Sequence, residues 1–236
     1  MAYTSGPKVV SPIGTAGSFT KLSVPDDYNN ELAYKVTLIV DPEETGAAAF
    51  IDTVKKAAEA EYERAQAELV ESFKTLKGAQ LAKARKASEE LEVHTPMGED
   101  YDDDGAPNGL VTFTMKRKAA GVYQKGRNAG KAWTQSIVLV DADKKPIPDT
   151  VDVSDGSQIR VQVEVNPFTS TGLKKSGVAL KILAVQVVEV VSGFGGGGAS
   201  AFDTVEGGYS APAADSAEED LPFEPPADDA EDCDDF

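Results

Sequence analysis

Gln158-Ile159-Arg160-Val161-Gln162-Val163-Glu164-Val165 alternates β-branched and polar side chains without a break. In an extended chain successive side chains point to opposite faces, so Ile159, Val161, Val163 and Val165 share one surface and Arg160, Gln162 and Glu164 the other. The stretch predicts a strand with one face in a core and one face in water. Working outward, similar alternation or β-branched richness marks 19–24, 34–40, 110–115, 133–140 and 178–191. Six short strands in one chain imply a barrel or a sandwich.

One segment has a different period. Between the second and third strands, Phe50, Val54, Ala58, Tyr62, Ala65, Leu69 and Phe73 recur every three or four residues, the spacing of an apolar helical stripe. Asp41-Pro42-Glu43-Glu44 supplies an N-cap, a proline at the first helical position and a capping-box acid, which predicts a helix beginning there. Gly78 is expected to break it, with a second helix over 79–91. The fold expected is mainly β with one long helix.

The charge is uneven. Of the net −17, residues 193–236 carry 13 acidic side chains and no Lys or Arg, leaving 27 acids against 23 bases in 1–192. The run Gly195-Gly196-Gly197-Gly198 opens that segment, which is rich in Gly, Ala, Pro and acids and poor in aliphatic side chains. Such a composition predicts disorder. The division expected is a folded domain over 1–192, with a helical insertion at about 42–92, and a disordered acidic C-terminal tail over 193–236. Cys233 is the single cysteine, which excludes an intramolecular disulfide and a thiolate zinc cluster. Neither a signal-peptide core near the start nor an apolar run of membrane-spanning length is visible, so a soluble intracellular protein with no membrane contact is expected.

Residues 110–140 contain no acid yet include Lys116, Arg117, Lys118, Lys125, Arg127 and Lys131, interleaved with Phe113, Tyr123 and Trp133. Single-stranded nucleic acid needs cations along its phosphates and rings under its unstacked bases, and this window offers both. Gly121, Gly126 and Gly130 make it a flexible hairpin. The competing assignment is a solvated loop with Phe113 and Trp133 in the core. A second candidate is the connection over 166–177, where Phe168 follows a strand and precedes Lys174 and Lys175. On residue type alone Phe168 serves equally well as a base platform or as a plug closing the barrel.

No catalytic constellation emerges. Asp100-Tyr101-Asp102-Asp103-Asp104-Gly105 opens like a calcium loop, but its twelfth position is Val111 where a bidentate Glu is required, so an acidic turn is the simpler assignment. His94 is the sole histidine and lacks a triad spacing or a cysteine partner. No phosphate-cradling Gly-rich loop is present. The expectation is a non-enzymatic protein without cofactor or metal. Rival assignments are a virion structural protein, an acidic-tailed chaperone of basic proteins, and a metal-dependent nuclease using Asp100 to Asp104. The chain ends in Glu231-Asp232-Cys233-Asp234-Asp235-Phe236. Clustered carboxylates around a terminal ring suit an apolar pocket rimmed by Lys or Arg on a partner, with Asp232, Asp234, Asp235 and Phe236 as the contacts.

Pro25-Asp26 before Tyr34-Lys35-Val36, the segment Phe113 to Lys118, Val165-Asn166-Pro167-Phe168, Gly177-Val178-Ala179-Leu180-Lys181, Phe194-Gly195-Gly196-Gly197 and Asp234-Asp235-Phe236 together resemble the replicative single-stranded DNA-binding proteins of tailed bacteriophages. The resemblance implies an OB-fold-like barrel of five to six strands, with Phe168 as a base-stacking aromatic and Lys116 as a DNA-contacting lysine. It further implies roles in DNA replication, recombination and repair in the cytoplasm of the infected bacterial host. The tail would bind the replicative DNA polymerase and the helicase-primase, cover the protein's own DNA groove, or mediate homodimer contact. Three departures stand out. The helix precedes the third strand, where the standard OB-fold has it between the third and fourth, the region Gly78 to His94 is longer than expected, and Lys118 falls where a ring is expected, shifting stacking toward Tyr123 and Trp133.

Overall fold

The computed structural model describes residues 6–28, 31–148 and 151–191. The tail over 193–236, with Asp232, Asp234, Asp235 and Phe236, lies outside the described residues. Strands β1 (Lys8–Val10), β2 (Gly14–Ala16), β3 (Lys21–Tyr28) and β4 (Glu31–Val40) precede helices α1 (Ala47–Ser72) and α2 (Gly78–Glu89). Then follow β5 (Glu92–His94), β6 (Met97–Tyr101), β7 (Pro107–Lys118), β8 (Ala120–Val122), β9 (Ala132–Thr134), β10 (Val138–Val140), β11 (Gln158–Ser170) and β12 (Lys175–Glu189).

Five of these strands close on themselves. β4 pairs antiparallel with both β2 and β7, β7 meets β12 in parallel, β12 pairs with β11, and β11 returns to β2. A closed five-stranded barrel is the OB architecture the resemblance implied. Its helices sit between the second and third barrel strands, as the apolar periodicity required. Ile159, Val161, Val163 and Val165 all point inward and are buried with Leu38, Val40, Met115, Ile182 and Val185. Helix α1 lays Phe50, Val54 and Ala58 over this core, and the Phe50 ring meets Phe113 edge-on at 5.0 Å. Burying side chains of this size stabilises the fold by about 1.5–3 kcal/mol each.

Several local expectations are corrected. Helix α1 starts at Ala47, not at the Asp41 cap: Asp41 Oδ1 accepts from the Glu43 amide at 2.9 Å and builds a turn, and Gly46, at φ 85°, separates that turn from the helix. The stripe buries Glu61 where Tyr62 was expected, leaving Tyr62, Leu69 and Phe73 half-buried. The stretch 133–140 splits into β9 and β10, because Trp133 belongs to a separate two-stranded hairpin, β8–β9, while Val138–Val140 joins β12 in parallel. Residues 166–177 are not a loop: β11 runs on to Ser170 and β12 begins at Lys175, forming an arm whose turn is four residues long. The acidic run is a turn between β6 and β7, where Asp102 Oδ1 accepts from the amides of Asp104 and Ala106.

Candidate nucleic-acid interface

Strand alternation sorts the predicted cations. On β7, Met115 is buried, so Lys116 and Lys118 point outward and Arg117 points to the same side as Met115. The Arg117 guanidinium donates to the carbonyls of Ile182 (3.1 Å) and Leu183 (3.4 Å) and to Gln135 Oε1 (3.1 Å). It therefore ties β7 to β12, on the side away from its two neighbours. Phe113, also in the basic window, is a core residue at 0% exposure.

The register then assembles a row that no contiguous segment contains. Lys35 on β4 lies opposite Lys116 on β7, Lys116 lies beside Lys181 on β12, and Lys181 lies opposite Glu164 on β11. The row continues at its two ends through Lys21 on β3, opposite Lys35, and Lys8 on β1, opposite Glu164. Adjacent strands stand about 4.8 Å apart, so the row crosses the barrel's outer surface at right angles to the strands. Its three central lysines are paired, Lys35 with Asp26, Lys116 with Glu31 and Lys181 with Glu164 at 3.1 Å, and Lys118, two residues along β7, shares Glu31 at 2.7 Å. Hydrogen bonds from Lys116 first, then Lys118, hold the Glu31 carboxyl at about 2, down from an ordinary 4.5.

Phe168 rises from the same outer surface. It alternates with buried Val165 along β11, lies across the ladder from Gly177, and its half-buried ring meets the His94 imidazole edge-on at 5.4 Å. Gly177 is required there: a Cβ would sit 1.9 Å from the His94 carbonyl oxygen of β5, which pairs in parallel with β12. Burial, and secondarily the Lys175 ammonium, pushes the His94 imidazole below its ordinary value, so the ring is neutral at pH 7. Between His94 and Lys116 lies an open cavity of about 420 Å³, lined also by Met97, Thr112, Thr114 and Ala179. Phe168 and Lys116 thus stand near opposite ends of one groove.

The opposite side of the arm is pinned to helix α1. Glu61 is only 5% exposed, and its carboxylate accepts from Thr169 Oγ1 at 2.9 Å and from Arg64. The Arg64 guanidinium first, and the Thr169 hydroxyl after it, hold the Glu61 carboxyl below the usual range despite its burial. At the arm's tip, Lys174 has a φ of 55° and pairs with Glu90 at 3.3 Å, while Lys175 is exposed. Beyond Lys118, the β8–β9 hairpin carries the rest of the basic window. Tyr123, Lys125, Arg127 and Lys131 are exposed, and the half-buried Trp133 ring lies against Gly121, where a Cβ would come within 2.6 Å of it.

Of the sequence-predicted residues, Lys116 lines the groove, Phe168 borders it through the His94 ring, and Lys118 shares Glu31 with Lys116. Tyr123, Lys125, Arg127, Lys131 and Trp133 form a hairpin of their own, and Lys174 and Lys175 the arm tip. The sequence reading missed Lys35, Lys181, Glu31, Glu61 and the placement of His94. The signal for Lys35 and Lys181 was present, since each sits between buried residues on a strand.

The described geometry has counterparts. A family model described as the single-stranded DNA-binding protein of bacteriophage T7 matches residues 13–190. The chain is 29% identical to the single-stranded DNA-binding protein of Enterobacteria phage T3 over 218 residues, 89% of this chain and 85% of that one. It is 27% identical to that of Escherichia phage T7, over 85% of this chain and 84% of the other. The crystal structure of gp2.5, a single-stranded DNA-binding protein encoded by bacteriophage T7, superposes with a TM-score of 0.60 at 23% identity, covering 88% of this chain and all of that one, a likeness of fold. With the family model spanning the whole barrel from β2 to the end of β12, the chain belongs to the bacteriophage T7 single-stranded DNA-binding protein family.

Proposed function

We propose that this protein binds single-stranded DNA without sequence preference, on the outer surface of its barrel. The observation that carries this reading is the cross-strand lysine row running beside the Phe168 ring. An unstacked strand presents phosphates and bare base faces together, and a surface with cations and rings meets both, each stacked base contributing about 1–3 kcal/mol. Lys116 contacts phosphate and Phe168 lies under a base. Lys118, Lys125, Arg127 and Lys131, with the Tyr123 and Trp133 rings, extend the surface along the β8–β9 hairpin, and Lys174 and Lys175 extend it along the arm. Arg117 acts by holding β7 to β12 beneath Lys116. The names of the T3 and T7 relatives support the ligand.

On this reading residues 1–192, with the helical insertion at about 42–92, are the DNA-binding domain and 193–236 the recruiting segment. Asp232, Asp234, Asp235 and Phe236 enter basic-rimmed apolar pockets on the replicative polymerase and the helicase-primase, and the same anionic segment competes with DNA for the groove. The protein acts in replication, recombination and repair in the cytoplasm of the infected bacterium, without catalysis or cofactor. A gel shift with labelled single- and double-stranded oligonucleotides of one sequence tests it. Retardation of the single strand at far lower protein concentration is expected, and equal or absent retardation overturns the reading.

A further inference from the structure

Lys35, Lys116 and Lys181 of the outer row are already occupied, and by groups of the same charge as a phosphate. Glu31, the first residue of β4, bridges Lys116 and Lys118, two outward cations of one strand. Asp26 on β3 meets Lys35, and Glu164 on β11 meets Lys181. These carboxylates lie on the strands that flank the row and not in the distant acidic tail. Without them Lys35, Lys116 and Lys181 would stand side by side on adjacent strands, an arrangement of like charges that destabilises a sheet.

We infer that Glu31 is an internal phosphate mimic, a residue that sets the protein's affinity for single-stranded DNA by filling the place a backbone phosphate takes between Lys116 and Lys118. The inference rests on the single-stranded DNA reading above and adds to it a residue whose removal strengthens binding. A phosphodiester and a carboxylate both accept charge-assisted hydrogen bonds from ammonium groups, so they compete for the same donors. The carboxylate is tethered and always present, whereas the phosphate arrives with a strand. Binding therefore costs the rupture of two exposed ion pairs, each of which is weak in water. Because both ammonium groups hold the Glu31 carboxyl near 2, the competitor is ionised at neutral pH. The effect is a sheet stabilised while empty and a strand that can be released as readily as it is bound.

The test uses the full-length protein and a fluorescent oligothymidylate. Glu31→Gln keeps the side chain's shape and removes its charge. Its affinity should rise about three- to tenfold at low salt, a modest gain because exposed pairs are weak, and the gain should shrink as salt screens the row. Its melting temperature without DNA should fall slightly, while the rise on adding DNA should be larger than for the unaltered chain. In a Lys116→Ala/Lys118→Ala background, Glu31→Gln should bring no gain. Asp26→Asn, acting through Lys35, should show the same sign independently. If Lys116→Ala weakens binding but Glu31→Gln leaves it unchanged or lowers it, Glu31 positions the lysines and the inference is overturned while the binding function stands. An unaltered chain that binds no oligothymidylate overturns both.

Discussion

Thr169 Oγ1 donates a 2.9 Å hydrogen bond to the Glu61 carboxylate, joining helix α1 to the strand that carries Phe168. Phe168 and Thr169 are neighbours on β11 and point to opposite sides, so the bond that pins Thr169 fixes the height and angle of the next ring. The long helix thus does more than cover the barrel; it holds the arm in place for the groove.

That link predicts a pH signature. Thr169→Val removes a bond worth about 1–3 kcal/mol to a charged acceptor and should lower both the melting temperature and, modestly, oligonucleotide affinity. Glu61 has a carboxyl held below its ordinary 4.5. A group depressed in the folded state stabilises above its unfolded value and loses that contribution as pH falls through the folded one. The melting temperature of the unaltered chain should therefore exceed that of Glu61→Gln near pH 6, with the gap closing below pH 4.5. A gap that widens on acidification would contradict the assignment.

Phe168 and Phe113 separate stacking from packing. Phe113→Ala empties a site at 0% exposure and should cost about 3–5 kcal/mol of stability. Phe168→Ala removes a half-buried ring and should leave the melting temperature nearly intact while weakening binding by about 1–3 kcal/mol per lost stack. Trp133→Ala should behave like Phe168→Ala, with a somewhat larger thermal effect because its ring also packs on Gly121. Oligonucleotide titration alongside a thermal melt decides each case.

The contrast between these rings marks where sequence was legible. Both stand near lysines in the chain, and nothing local distinguishes them; the difference is which strand face meets the core, and that depends on pairing. Where one strand carried the whole signal, as in Ile159 to Val165, periodicity gave the correct core face, but Glu164 on the face expected in water is only 5% exposed, because it is covered where it pairs with Lys181. The alternation of buried Met115, outward Lys116 and inward Arg117 was equally available, but grouping Lys116, Arg117 and Lys118 as one basic cluster hid it. The row Lys35–Lys116–Lys181 was not legible, because its members come from distant segments joined only by register. Glu61 escaped for a different reason: a single buried acid in an apolar stripe looks like an interruption until its partners on β11 are known. Asp41 misled because a side-chain cap on a turn and one on a helix use the same residues, and Gly46 decided between them.

Two glycines of the arm should respond oppositely to a methyl group. At Gly177 the added Cβ would lie 1.9 Å from the backbone of His94, so Gly177→Ala must push β5 off β12 and disturb the wall of the groove. Backbone cannot yield as a side chain can, and a loss of both stability and oligonucleotide affinity is expected. Gly172→Ala, at the tip of the same arm, meets nothing within 4 Å among the described residues and should change neither. Equal behaviour of the two variants would mean that β5 does not pack against Gly177.

Deleting 211–236 tests the proposed competition between the acidic segment and DNA. The segment removed holds 11 of the chain's 40 acids and no base, so its loss raises the net charge from −17 to about −6. If the segment visits the lysine row, its carboxylates neutralise cations that would otherwise meet phosphate. Fewer counterions then leave the DNA on binding, and both affinity and salt slope are reduced. The truncated chain should bind oligothymidylate more tightly than the full chain, with a steeper fall of affinity against salt concentration. The increment should also survive in Glu31→Gln, because a tethered carboxylate on β4 and a distant acidic segment act independently on the same row. Fluorescence titration of the four proteins at two salt concentrations measures this, and identical salt slopes for the full and truncated chains would remove the acidic segment from the groove.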